Sequence, residues 1–161
     1  MIAINPRIDV LPQKKLVGIN VRMSLKNNRT FELWNRVIPK FKKMGNRLSA
    51  NKYSLQVYPH SYFDSLDPTK EFIKWAGVEV EEFGKLADDL EPFILEGGLY
   101  AIFNYKGSSN VHEFFQYIYS TWLPNSSYKL DERPHFEVLG EKYKNNDPNS
   151  EEEIWIPIQP K

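Results

Sequence analysis

The chain has no cysteine among its 161 residues. Disulfide bonds, thiolate metal sites and a cysteine nucleophile are therefore excluded. The sequence also lacks the patterns GxxxxGK(S/T), GxGxxG, HExxH and GxSxG. It consequently offers no phosphate loop, no dinucleotide fingerprint, no zinc-protease helix and no hydrolase elbow. We accordingly expect neither a bound metal nor a cofactor.

An excess of charge of either sign is missing as well, because Lys+Arg and Asp+Glu both number 21. A neutral chain has no bulk attraction to a phosphate backbone, so we expect no direct nucleic-acid partner. No apolar run approaches the ~20 residues that a membrane span requires. The first residues show no basic segment followed by an apolar one, as a signal peptide would. We therefore expect a cytoplasmic location and no membrane partner.

Aromatic residues are abundant, with four Trp, nine Tyr and ten Phe. Large rings can build a core, or they can line a pocket or an interface, and composition leaves both interpretations open. The length and the 41% hydrophobic content suit one folded domain over residues 1–161.

The hydrophobic pattern runs twice through a strand–helix–strand–strand order, at a spacing of roughly 80 residues. The corresponding segments are residues 16–23, 31–41, 53–58 and 74–83 in the first unit, and 98–105, 111–122, 135–140 and 152–158 in the second. A short strand at 7–11 precedes them, and residues 84–92 are expected to form an acidic loop.

This order predicts an α+β fold in which an antiparallel sheet carries two long helices on one face. Repeat one covers about residues 7–83 and repeat two about residues 98–158, related by a pseudo-twofold axis. The seam between two such units is a natural place for a ligand groove. We expect Pro39 to kink the first helix or to start a fresh segment, and Pro124 to end the second helix.

A single acid, Glu137, interrupts the short apolar strand HFEVL. Alternation places Phe136 and Val138 on one face, which we expect to lie beneath the helices, and Glu137 on the other. A covered carboxylate is costly unless it is paired, and its pKa is then raised. An exposed strand face with a salt bridge is the alternative that stays open.

Several other polar and aromatic residues bear on this site. Gln56 and Tyr58 are expected to project from their strand as Glu137 does. A carboxylate near rings suits a cationic, aromatic or amphiphilic ligand. Other acids occur in short runs, which are interpreted as solvated edges: Glu79, Glu81 and Glu82, Asp88 and Asp89, and Glu151, Glu152 and Glu153. The histidines are interpreted as surface or capping residues: His60, His112 and His135.

The segments LVGINVRMSL, YSLQVYP, KWAGVEV and GGLYAIFNYKG, with the ending RPHFEVLGEKYKNNDPNSEEEIWIPI, resemble the GyrI-like small-molecule-binding domain. This module is the effector-binding domain of AraC-type and MerR-type multidrug regulators. The resemblance covers about residues 6–160, and the ending is its most specific part. It implies a ligand groove between the repeats, and it matches Glu137 to the acid that contacts cationic drugs. It carries over Tyr58, Trp75, Tyr100 and Trp155 as groove aromatics by strand position.

Strand signals begin by residue 7, which leaves no room for the DNA-binding helices that such regulators carry before this module. The resemblance therefore implies a stand-alone protein that binds small molecules and is linked to transcription regulation or to drug and toxin tolerance. Two alternatives come with the stand-alone members. One is a hydrolase of strained cyclopropane toxins, with Glu137 as general base and Tyr100 beside it. The other is a protein-interaction module such as a gyrase inhibitor, which would bring a protein partner and expose a patch.

Overall fold

The structure is a computed structural model, and it describes residues 5–87, 89–107, 111–144 and 147–161. Those residues contain nine strands: β1 Arg7–Leu11, β2 Lys14–Ser24, β3 Lys52–Val57, β4 Glu71–Val80, β5 Glu91–Leu95, β6 Gly98–Lys106, β7 Tyr128–Leu130, β8 His135–Leu139 and β9 Glu151–Pro160.

Helix α1 spans Thr30–Lys42 and contains Pro39 without ending there. The second helix continues through three segments, α2 Val111–Tyr117, a π-helical stretch Ile118–Trp122 and α3 Leu123–Asn125. Pro124 lies in the last turn of this helix, so it stops the helix only one residue later. A short 3-10 turn, Tyr62–Asp64, follows β3.

The strands pair antiparallel in the order β1-β6-β9-β8-β3-β4-β2-β5, and β7 pairs with the end of β9. The middle six strands are symmetric about the β8–β3 pair, with β6-β9-β8 on one side and β2-β4-β3 on the other. Each half carries one helix after its first strand. The predicted α+β fold and its tandem repeat are therefore confirmed.

The two ends of this strand order are forced together. β1 stands at one end and β5 at the other, yet only residues 12–13 separate β1 from β2 and residues 96–97 separate β5 from β6. A Cβ on Gly97 would lie 2.3 Å from the Leu11 carbonyl oxygen, which explains the glycine at this close approach. The sheet therefore rolls, and one of its faces turns inward.

The inner face of the rolled sheet packs against itself, without a helix. Its buried members come from strands in both halves and from both ends of the order: Leu11, Leu16, Tyr53, Leu55, Leu95, Tyr100, Ile102 and Phe136. Phe136 is 1% exposed and stacks on Trp155 at a centroid distance of 5.2 Å. The expectation that Phe136 and Val138 lie beneath the helices is therefore wrong, because both face the rolled interior.

The outer face carries both helices. Helix α1 packs Leu33, Val37 and Phe41 against β2 and β4. The second helix packs Phe114 and Ile118 against β6 and β9. The middle strands β3 and β8 lie between these two contacts.

Two short strands, β5 and β7, were not predicted from the sequence. β5 lies where an acidic loop was expected to end, and it tolerates Pro92 because it pairs with β2 alone. β7 has only three residues, too few to show alternation. The sequence pattern predicts that Ser109 or Asn110 caps the second helix, but both lie outside the described residues. Within the described part of the chain, no helix has the length and apolar character that a bilayer crossing requires.

Truncation of Phe136 tests whether the inner face stabilises the fold. Phe136→Ala removes a buried ring, so we expect a loss of about 3–5 kcal/mol in the free energy of unfolding. Phe31→Ala removes the same ring at a site that is 77% exposed, and we expect a change below about 0.5 kcal/mol. Chemical denaturation measures both, and similar losses in the two variants would contradict the assignment of Phe136 to the core.

Candidate functional site

A groove of about 770 Å³ lies between the two helices, over the middle of the sheet. Its volume is within the range of small-molecule sites. The residues that line it come from both repeats: Asn28, Thr30, Phe31, Trp34, Asn35, Ile38, Lys52, Ser54, Lys74, Tyr105, Gly107, Phe115, Glu137, Leu139, Gly140, Tyr143, Lys144, Ser150 and Glu152.

Strand register brings the polar residues of the groove floor together. Glu137 on β8 lies directly opposite Ser54 on β3. One row further along the same face, Gln56 lies between His135 on β8 and Lys74 on β4. Gln56, Lys74 and Glu137 therefore share the outer face at the seam between the repeats. Glu137 lies deep in the molecule, and part of its side chain is exposed to the groove.

A second acid, Glu152, lines the groove from β9. It lies on the same face as Ile154, which is directly opposite Glu137. The interpretation of Glu152 as part of a solvated acidic edge is therefore wrong, although its neighbour Glu151 is exposed. The alternation of Glu152 with the buried residues Ile154 and Ile156 was a local signal for this position.

Burial governs the protonation of the floor. Desolvation raises the pKa of Glu137, while the Lys74 ammonium and the Gln56 amide oppose that shift. Desolvation, and then the charge of Glu137, raise the pKa of Glu152 to about 7. Burial lowers the pKa of Lys74, and the two carboxylates oppose that effect. One ammonium thus faces two carboxyl groups that burial drives toward their neutral forms.

Aromatic side chains form the walls of the groove. Phe31 and Trp34 come from α1, and Phe31 is 77% exposed although it is a large apolar residue. Phe115 of α2 lines the groove from the other helix, and Tyr105 and Tyr143 line it as well. In the sequence, Phe31 and Trp34 fit the helical spacing of residues 31–41, which does not separate a groove wall from a core stripe, so their place in the groove was missed.

Three rings that were expected beside Glu137 lie on the other face of the sheet. Trp75, Tyr100 and Trp155 all belong to or pack against the rolled interior. Tyr100 is fully buried, and its hydroxyl donates to the Pro134 carbonyl at 2.8 Å. The expectation that these rings share the groove is wrong, and so is the pairing of Tyr100 with Glu137 for hydrolysis, because the sheet separates the two side chains.

Gln56 and Tyr58 share the face of Glu137, as expected. Tyr58 does not line the groove. It packs in a ring cluster beside the floor, with its centroid 4.5 Å from that of Tyr62 and 4.9 Å from that of His135. His135 is buried rather than a surface residue, and its Nδ1 shares a 2.8 Å hydrogen bond with the Tyr119 hydroxyl. Burial lowers the pKa of His135 to about 3.

Metal-binding geometry is absent from the described residues, in which no three His, Asp or Glu side chains are grouped to hold an ion. The chemistry that the groove offers is therefore that of carboxyl groups, lysines and rings. Such a site can pair charges, donate and accept hydrogen bonds, and stack on planar groups.

The family model of Cass2, described as integron-associated effector binding protein, matches residues 7–158. The transcriptional regulator BrlR of Pseudomonas aeruginosa is 30% identical over 155 residues, which are 94% of this chain and 54% of BrlR. The chain thus spans about half the length of this curated relative.

Solved structures share the fold at low sequence identity. SAV2435 bound to tetraphenylphosphonium superposes with a TM-score of 0.70 at 15% identity, over 96% of this chain and 93% of that one. An integron cassette protein from the mobile metagenome of Vibrio cholerae gives a TM-score of 0.65 at 17% identity, over 96% of each chain. Both are GyrI-like in architecture, as the resemblance implied.

The raised pKa of Glu152 predicts a pH-dependent stability. Between pH 4.5 and about 7 the folded state keeps a proton on Glu152 that the unfolded state has lost. The folded state binds more protons in this window, so its stability falls as the pH rises. We expect Glu152→Gln to reduce this decline, measured as unfolding free energy from pH 4 to 8, while the raised pKa of Glu137 keeps its own contribution. Glu151→Gln is the matched exposed control, and identical pH profiles for wild type and Glu152→Gln would refute the prediction.

Proposed function

Because the chain belongs to the Cass2 family of integron-associated effector binding proteins, we propose that it binds small organic molecules carrying a positive charge and aromatic rings. The groove between the two helices is the binding site. In this proposal Glu137 anchors the ligand and the wall aromatics enclose its rings.

The observation that carries the proposal is the position of Glu137, a carboxyl group on the floor of a ring-walled groove. Burial raises the pKa of Glu137, so its surroundings in the protein disfavour the charged form. A bound cation compensates for the lost hydration and favours the ionised form. The anchor therefore becomes a charge-assisted contact when the ligand is in place.

The walls support a ligand with flat apolar groups. Phe31 is 77% exposed and belongs to none of the buried clusters, so a ligand ring can cover it without displacing core contacts. Trp34 lies one turn further along α1 and presents a second ring to the groove. Aromatic faces also attract cations, which adds to the effect of Glu137.

A similar structure supports the ligand class. SAV2435 was solved with tetraphenylphosphonium, a cation surrounded by phenyl rings, and it shares this fold. BrlR is a transcriptional regulator about twice as long as this chain. We extend the proposal accordingly to effector recognition linked to transcription regulation or to drug and toxin tolerance.

Neutralising Glu137 tests the anchor. Glu137→Gln keeps the size of the side chain and removes its charge. We therefore expect it to weaken the binding of a cationic rhodamine ester roughly 10- to 100-fold. Fluorescence polarisation of the dye measures the affinity. Glu153→Gln is the matched control, because Glu153 lies on β9 but on the opposite face of the sheet. Equal binding by wild type and Glu137→Gln would eliminate Glu137 as the anchor.

A further inference from the structure

We propose that the preferred ligand is a zwitterionic aromatic molecule, with a carboxylate that pairs with Lys74 as well as a cationic group near Glu137. This inference rests on the proposed function and narrows its ligand class. It predicts that plain lipophilic cations are second-best ligands for this groove.

The first observation is that Lys74 is buried without an ion-pair partner among the described residues. The residue is 7% exposed and lines the groove, yet none of the hydrogen bonds and ion pairs among the described residues includes it. Other lysines, such as Lys14 and Lys15, form ion pairs at 3.3 Å with Glu79 and Glu82. The ammonium is largely desolvated and has no carboxylate within 4 Å among the described residues, so an anionic group that arrives with the ligand would stabilise its charge.

The spacing between Lys74 and Glu137 suits one molecule with two opposite charges. Lys74 is on β4 and Glu137 on β8, with β3 between them. Neighbouring strands are ~4.8 Å apart, so the two backbones are separated by about 10 Å. No ion pair of 4 Å or less joins the two side chains among the described residues, although the charge of each opposes the effect of burial on the pKa of the other. A ligand that spans the floor can reach both.

The charges of the residues that line the groove also favour a zwitterionic ligand. Three lysines face the groove, Lys52, Lys74 and Lys144, against the two acids Glu137 and Glu152. A plain cation would gain from Glu137 while meeting the repulsion of a buried ammonium beside it. A zwitterion places a negative group at Lys74 and a positive one at Glu137, so both desolvated charges find partners.

A matched pair of dyes tests this inference. A rhodamine free acid is zwitterionic at neutral pH, and its methyl ester is a cation of nearly the same shape. We expect wild-type protein to bind the free acid about tenfold more tightly than the ester, the worth of one charge-assisted hydrogen bond. Lys74→Met should abolish this preference, and Lys74→Arg should retain it. Fluorescence polarisation gives both affinities, and denaturant unfolding verifies that each variant is folded.

Lys129→Met is the matched control, because Lys129 lies on β7 and is exposed outside the groove. Its dye preference should equal that of wild type. Suppose that wild-type protein binds both dyes equally, or binds the ester more tightly, and that Glu137→Gln weakens the binding of both dyes. In that case the Lys74 inference fails and the proposed function stands. If neither dye binds, the proposed function fails together with the inference.

Discussion

Two connections of two residues each, at positions 12–13 and 96–97, constrain the whole sheet. They join strands that stand near opposite ends of the strand order, so the sheet rolls until those ends meet. Rolling creates an inner face that packs against itself and an outer face whose apolar side chains are covered by the helices. Because each helix covers the outer strands of its own half, the seam at β3 and β8 stays open on the outer face, and the groove lies there.

The same seam decides the chemistry of the groove. Lys74 comes from the first repeat, and Glu137 and Glu152 come from the second. The halves thus share a backbone architecture, but both acids of the groove come from the second repeat, while lysines come from both. The symmetric fold sets where polar side chains meet, and the divergence between the repeats sets which charges they carry.

Local patterns were enough to predict the fold, because strand alternation and helical spacing are properties of short segments. They could not show which face the helices cover, since that depends on the rolling of the sheet. Phe136 and Glu137 were therefore assigned to the wrong sides, and Trp75 and Tyr100 were placed in the groove. Lys74, in contrast, was predictable from its place on the face of Ala76 and Val78.

The rolled interior has a consequence for how this protein can change. None of its buried members lines the groove, because the two sets of side chains point to opposite faces of the same strands. Substitutions on the groove side, at positions such as Phe31 or Lys144, leave the packing of the inner face intact. Recognition by the exposed groove wall is thus separate from the packing of the inner face, so single substitutions on that wall can change ligand preference while the inner face keeps its packing.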